Sequence, residues 1–367
     1  MIVDAWLPRA AAARPGHPAI NDITYAELLD RARRSPTETE PGLPVEELAV
    51  RLHARLLRGG GEEGAHDLDT TALEVRTSGS TGEPKHVALT YGNWLWSAQG
   101  ASVALGHPRS ERWLCALPLT HVGGLSILVR SVIAGTTVLL HERWDTEAVL
   151  LGLDDATMVS LVPTTLQRLL DAGLEEPPAL RHALLGGAPI PPALLDRARQ
   201  ARVPVTTTYG LTEACSMVTV DGFPLFCTNV ELAEDGEILV EGPTVAGGGP
   251  LRTGDLGRWA GDGRLEVIGR KSDTIITGGE NVAPAEVEQV LEQHPAVAEA
   301  AVHGRPDAEW GERVVATVVL AGEASEAELL AYAAERLDAF KVPKAVTTRD
   351  EPLPRTASGK LQRRALE

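Results

Sequence analysis

Residues 77–85 read TSGSTGEPK, a run of hydroxyls and glycines that follows the apolar stretch 73–75 and closes on a lysine. Phosphate oxygens need many donors at close range, and this run supplies them. Gly79 and Gly82 let the backbone come near a polyphosphate, Ser78, Ser80 and Thr81 add hydroxyls, and Lys85 adds fixed positive charge. The order does not fit the GxxxxGK[ST] phosphate loop. A flexible Ser/Gly loop has the same composition, so the run gains meaning only from partners elsewhere.

Such partners exist. Residues 209–214, YGLTEA, follow an apparent strand at 203–208. There Glu213 can hold Mg²⁺ on a nucleotide, Thr212 can donate to a phosphate, and Tyr209 can stack on a base. In RTGDLG, 252–257, Asp255 sits in a glycine turn where its carboxylate could accept two ribose hydroxyls, although an Asx turn explains an aspartate there equally well. GRKSD, 269–273, and TGGEN, 277–281, flank a strand-like 274–276, and PRTASGKLQRR, 354–364, presents Lys360 on a Gly-Ser loop.

The elements that must position these residues fall into two textures. Residues 1–32 read as helix, turn and helix, 35–42 as a polar connector, and 45–57 as a helix with Val45, Leu48, Ala49, Leu52 and Leu56 on one face. From 72 to 268, apolar runs such as 113–117, 136–140 and 158–162 alternate with helix-length segments, which predicts βαβ units. Beyond Arg270 the pattern changes to a compact module, with Pro284 opening a helix, strands at 297–302 and 314–320, and a helix at 326–337. The expected class is α/β: a large layered N-terminal domain, 1–270, and a small α+β C-terminal domain, 271–367.

Composition narrows the function. A formal charge of −17 over 367 residues repels nucleic acid and anionic membrane, so an anionic ligand must be held by local donors. Three cysteines without a paired spacing argue against a disulfide framework and a zinc site. No apolar run of membrane-spanning length and no secretory leader pattern is present, which makes the cytoplasm the expected compartment.

Together the motifs carry a resemblance that spacing alone could not establish. TSGSTGEPK, LPLTHVGGL, LLGGAPI, YGLTEA, RTGDLG, GRKSD with TGGENVAPAEVE, and PRTASGK are seven elements in the order found in the adenylate-forming superfamily of acyl-CoA synthetases. The resemblance implies ATP, Mg²⁺ and coenzyme A as co-substrates, a mobile C-terminal domain turning on a hinge at Lys271 and Ser272, and an N-terminal part shorter than usual. It also implies roles. Thr77, Ser78, Gly79, Ser80, Thr81, Gly82 and Lys85 would bind the pyrophosphate end of ATP. Gly186, Gly187, Ala188 and Pro189 would line the adenine site, with Tyr209 stacking on the base and Gly210 beside it. Asp255 and Arg270 would bind ribose, Thr212 the α-phosphate and Glu213 the magnesium. Lys360 would be the catalytic cation, and the Gly278, Gly279 loop would face coenzyme A. The family's usual glycine after the loop lysine is His86 here.

A narrower likeness, in LPLTHVGGLSILVRSVIAGTTVLLHE at 117–142 and in YGLTEACS, is to the o-succinylbenzoate:CoA ligases of menaquinone biosynthesis. Such ligases activate a dianionic acid, so a second carboxylate needs recognition. Arg130, inside an apolar run, is the candidate, with His121 and Gly123 at the acyl-site entrance; an arginine snorkelling to solvent is its other reading. Ligation of another aryl or acyl acid, loading of a carrier-protein thiol, and a catalytically silent nucleotide-binding protein are the alternatives. Homo-oligomerisation is left open.

Overall fold

A computed structural model describes residues 1–59, 64–77, 85–106, 108–355 and 361–366. Its centre is a nine-stranded sheet whose six inner strands are parallel, in the spatial order Val205–Leu211, His182–Leu185, Met158–Leu161, Arg112–Cys115, Thr137–Leu140, Pro18–Ile20. Antiparallel strands complete both edges, Ser216–Val220 with Phe223–Pro224 on one side and Ile23–Thr24 on the other. The predicted βαβ units are therefore present. The short strand Pro18–Ile20 was not predicted, because three residues beside a proline carry too little periodicity to mark a strand.

Alternation sorts the strand side chains onto two faces. Trp113 and Cys115 join the core beneath helices Trp6–Ala13, Val45–Arg58, Tyr91–Leu105 and Val122–Ala134. Leu114, between them, joins the opposite core beneath Thr146–Gly152, Pro163–Asp171 and Pro192–Gln200. The result is three layers, helix on sheet on helix.

Chain order sets where a ligand can bind. Arg112–Cys115 leads through helix Val122–Ala134 to Thr137–Leu140 on one side, and the chain then returns to Met158–Leu161 on the other side. Between these two directions lies a topological switch point, and the crevice outside the carboxyl ends of such strands is where open α/β sheets take ligands.

A four-stranded antiparallel sheet follows: Asn229–Leu232, Glu237–Glu241, Leu251–Trp259 and Leu265–Arg270. Its core, Val230, Ile238, Val240, Val245 and Leu265, includes Ala214 and Val218 from the edge of the large sheet. Beyond it, strands Ile275–Thr277, Glu280–Val282, Val297–Asp307, Gly311–Leu320 and Val346–Arg349 form a five-stranded sheet covered by helices Pro284–Glu292 and Glu326–Ala334, with a core of its own. The strands predicted at 297–302 and 314–320 are longer here, forming one hairpin paired from Val297 with Leu320 to Asp307 with Gly311. Among the described residues no helix is long and apolar enough to cross a membrane, and all three cysteines are buried free thiols.

In this last unit the Glu292 carboxyl is pushed up to about 7, first by burial and then by the Glu288 and Glu299 carboxylates, against the Ala300 amide and Arg355. The unfolded chain releases that proton near 4.5. The folded state thus holds the proton more tightly, and the stability it brings, complete below pH 4.5, is lost as pH rises through about 7. Glu292→Gln should flatten the decline of Tm across that window in a calorimetric pH series; an unchanged slope would contradict this assignment.

Candidate active site

Four sequence-predicted groups gather along the carboxyl edge of the parallel strands. His121 and Gly123 follow Arg112–Cys115, with His121 exposed at the start of helix Val122–Ala134. Gly186, Gly187, Ala188 and Pro189 follow His182–Leu185. Tyr209 and Gly210 end Val205–Leu211, and Thr212 and Glu213 occupy the single 3₁₀ turn Thr212–Ala214 that comes next. This strand reaches three residues beyond its predicted end because Tyr209, Gly210 and Leu211 pair with Ser216–Val220. At Gly210 a β-carbon would stand 1.7 Å from the Ser216 carbonyl oxygen, so only glycine lets the strands close there.

Asp255 occupies not a free turn but the strand Leu251–Trp259, directly opposite Arg270 across an antiparallel pair. The glycine signal in RTGDLG is real yet local: Gly254 has φ +71, a kink within the strand. Asp255 is 4% exposed. One oxygen meets Arg270 Nε at 2.7 Å, and the other accepts from the Tyr209 hydroxyl at 2.7 Å. Burial, followed by the Asp255 charge, raises the Tyr209 pKa, so the phenol stays protonated and donating. Three residues expected to touch a nucleoside thus form one hydrogen-bonded group joining the large sheet to the four-stranded one.

The turn carrying Thr212 and Glu213 is braced from two sides. The Ala246 amide donates to the Glu213 carbonyl at 2.8 Å, while Asn93 Nδ2 holds the Pro243 and Val245 carbonyls at 2.8 and 3.2 Å. After it, Cys215 and Ser216 take φ of +54 and +91, uncommon for residues with side chains and a form of strain that neighbouring contacts must hold. Ser97 Oγ donates to the Cys215 carbonyl at 2.6 Å and in turn accepts from Arg130 Nη2 at 3.1 Å.

Thr77 and Lys85 are paired across the hairpin Thr71–Thr77 with Lys85–Thr90, whose second strand packs against the Thr212–Ala214 turn. Ser78, Gly79, Ser80, Thr81, Gly82 and Lys360 lie outside the described residues. Gly278 and Gly279, with φ of +58 and +85, form the two-residue turn joining Ile275–Thr277 to Glu280–Val282, a geometry that favours glycine, and at Gly278 a β-carbon would stand 2.7 Å from the Trp310 ring. The Gly278 amide donates to the Trp310 carbonyl at 2.8 Å.

Arg130 stands apart from the edge group. Its Cα lies eight residues into its helix, roughly 12 Å along the axis at 1.5 Å per residue, and the residue is 6% exposed and so does not snorkel to solvent. Its guanidinium lies 5.9 Å from the centre of the Trp113 ring, and burial lowers it to about 10, so it remains a cation at neutral pH. Among the described residues it has no carboxylate within ion-pair distance, and its Nε has no partner. With Glu111 it lines a small cavity with room for a water or two.

Sequence reasoning missed a group around Lys271. Lys271 Nζ meets Asp235 at 2.6 Å and Glu237 at 3.1 Å; Glu237, 4% exposed, also holds Arg252 at 2.5 Å and accepts from the Gly254 amide at 3.0 Å. Arg252 and Lys271 lie in quoted motifs, but only the register of the hairpins joins them to Asp235 and Glu237, which no motif announces.

Comparison with known proteins decides the family. Residues 60–248 match the AMP-binding enzyme family, and residues 286–360 match the AMP-binding enzyme C-terminal domain. The chain belongs to the AMP-binding enzyme family. This AMP-binding enzyme is 43% identical over 336 residues to a 2-succinylbenzoate–CoA ligase of Bacillus licheniformis, covering 82% of the chain and 70% of that protein. A ligase of the same name from Bacillus subtilis is 42% identical over 337 residues, covering 82% and 69%. The o-succinylbenzoate CoA synthetase of Bacillus subtilis in complex with its acyl-adenylate intermediate superposes with a TM-score of 0.87 at 32% identity, covering 100% of this chain and 98% of that one. A double-mutant form of that synthetase bound with a product analogue superposes with a TM-score of 0.67 at 33% identity, covering 100% and 99%.

No group of three or more His, Cys, Asp or Glu among the described residues could cage a metal. Glu213 beside a nucleotide fits Mg²⁺ without one, since that ion is usually held by one or two carboxylates, substrate phosphates and water. Bound there, it would supply charge neutralisation on the phosphates.

Proposed function

We propose that this AMP-binding enzyme is an ATP-dependent o-succinylbenzoate:CoA ligase, forming o-succinylbenzoyl-CoA, AMP and pyrophosphate. The reading rests on one observation: a chain so similar to 2-succinylbenzoate–CoA ligases unites Tyr209, Asp255 and Arg270 in one group, beside Thr212 and Glu213 at the carboxyl edge of its sheet. In the first half-reaction a carboxylate oxygen of the acid attacks the α-phosphorus of ATP and pyrophosphate leaves. Asp255 and Arg270 hold the ribose, Tyr209 the base, Thr212 the α-phosphate, and Lys360 neutralises charge as it develops. In the second, the thiol sulfur of coenzyme A bonds to the acyl carbon, AMP leaves and the thiol proton passes to solvent. Residues 1–270 bind ATP and acid, and residues 271–367 move between the half-reactions on Lys271 and Ser272, withdrawing Lys360 and bringing Gly278 and Gly279 inward. The reaction belongs in the cytoplasm, where ATP and coenzyme A are available.

Arg130 recognises the second carboxylate of the acid from below the acyl site, with His121 and Gly123 at its entrance. A buried cation with no carboxylate within ion-pair distance among the described residues supports this reading. Arg130→Ala should raise KM for o-succinylbenzoate about tenfold or more relative to a monocarboxylic analogue, as expected for one charge-assisted hydrogen bond. Equal losses for both acids would assign Arg130 to bracing the Glu213 turn through Ser97. Thioester formation across a panel of o-succinylbenzoate, benzoates and fatty acids, with coenzyme A as acceptor, tests the function itself. Preference for another acid, or turnover only with a carrier-protein thiol, would overturn the substrate assignment.

A further inference from the structure

We propose that Arg363 is a positioning residue for the adenylation half-reaction, fastening the chain that carries Lys360 to the hinge. The inference rests on the ligase reading above. Three sequence positions after the catalytic lysine, Arg363 spends three donors on two carboxylates: Nε and Nη2 on the two oxygens of Glu288 at 3.0 and 2.7 Å, and Nη1 on Asp273 at 3.0 Å. A guanidinium held bidentate with a third bond is fixed in both position and plane.

Both anchors are themselves fixed. Glu288 is 6% exposed, lies on helix Pro284–Glu292 and also accepts from the Val302 amide at 2.8 Å. Asp273 closes the 3₁₀ turn Lys271–Asp273 that contains both hinge positions. On the other side of 356–360, Arg355 pairs with Leu361 in an antiparallel bridge and reaches Glu299 at 2.8 Å, while the Gln362 amide donates to the Pro354 carbonyl at 2.8 Å. The chain is thus tied down before and after the segment that ends in Lys360.

The connection continues across the hinge. From Arg363 it runs through Asp273 to the turn bearing Lys271, whose ammonium meets Glu237, and Glu237 accepts from the amide of Gly254, the neighbour of Asp255. The lysine-bearing chain and the nucleoside carboxylate are therefore referenced to one set of polar contacts. Because Lys360 serves only the first half-reaction, loosening Arg363 should cost that step selectively.

The test separates the half-reactions in the full-length enzyme: acid-dependent pyrophosphate exchange reads adenylation, and thioester formation from preformed o-succinylbenzoyl adenylate with coenzyme A reads the second step. Arg363→Ala should lower exchange about 10²-fold, the cost of misplacing a reacting group by an ångström, with the second step changed by only a few fold. Arg363→Lys should recover only part of the exchange, since a point charge cannot reproduce the bidentate fork. Asp273→Asn should show the same selectivity with a smaller loss. Unchanged exchange, or parallel loss of both steps, would overturn the proposal. If the wild-type enzyme activates a different acid, the substrate reading fails and the same comparison is made with that acid.

Discussion

Lys360→Ala should lower acid-dependent pyrophosphate exchange by about 10²- to 10³-fold or more, by analogy with loss of an oxyanion donor, with little change in ATP affinity. The asymmetry follows from where the charge is needed. In the proposed mechanism the ground-state phosphates are already neutralised by Mg²⁺ and the donors of the 77–85 loop. Extra negative charge develops only as the carboxylate oxygen bonds to phosphorus and pyrophosphate departs, and an ammonium aimed there acts on the transition state alone. Exchange kinetics with a parallel ATP titration separate the two effects. A variant that loses ATP binding in proportion to rate would make Lys360 a nucleotide anchor, and one that keeps full exchange would remove it from the mechanism.

Asp255→Ala should act on binding first. Its buried carboxylate accepts from Tyr209 and Arg270, and in the proposed mechanism it also takes both ribose hydroxyls. Hydrogen bonds to a charged group contribute about 1.5–3 kcal/mol each, so loss of both should weaken ATP by about 10²-fold or more. The substitution also releases the Tyr209 ring and the Arg270 guanidinium. Arg270→Ala, which leaves the carboxylate and the tyrosine in place, should cost less. ATP titration of the three proteins checks this order, and unchanged affinity in Asp255→Ala would contradict the ribose assignment.

How much of this was legible beforehand depends on the range of the interactions. The βαβ layers were, because period-two and helical patterns are local and strongly expressed between 112 and 211. The placement of Thr212 and Glu213 at the end of a strand was, because their motif is continuous in sequence. Asp255 was picked out by its glycines but placed in a turn, since a kink inside a strand and a turn between strands carry the same residues. The Asp235, Glu237, Arg252, Lys271 group was not legible: its members are ordinary surface-type residues up to 36 positions apart, joined only by strand register. Arg363 was hidden in the same way, appearing only within the PRTASGKLQRR run although its partners lie 75 and 90 residues earlier. Arg130 was flagged as a cation in an apolar run; its hydrogen bond to Ser97, and through it to the strained Cys215–Ser216 backbone, is visible only in three dimensions.

The most direct test withholds coenzyme A. The enzyme is mixed with ATP, Mg²⁺ and o-succinylbenzoate, and quenched samples are analysed by mass spectrometry. We expect pyrophosphate and enzyme-bound o-succinylbenzoyl adenylate to form together, one of each per active site, with later addition of coenzyme A converting the adenylate to thioester and AMP. Thioester formation without a preceding adenylate, or ATP cleavage that does not depend on the acid, would contradict the account.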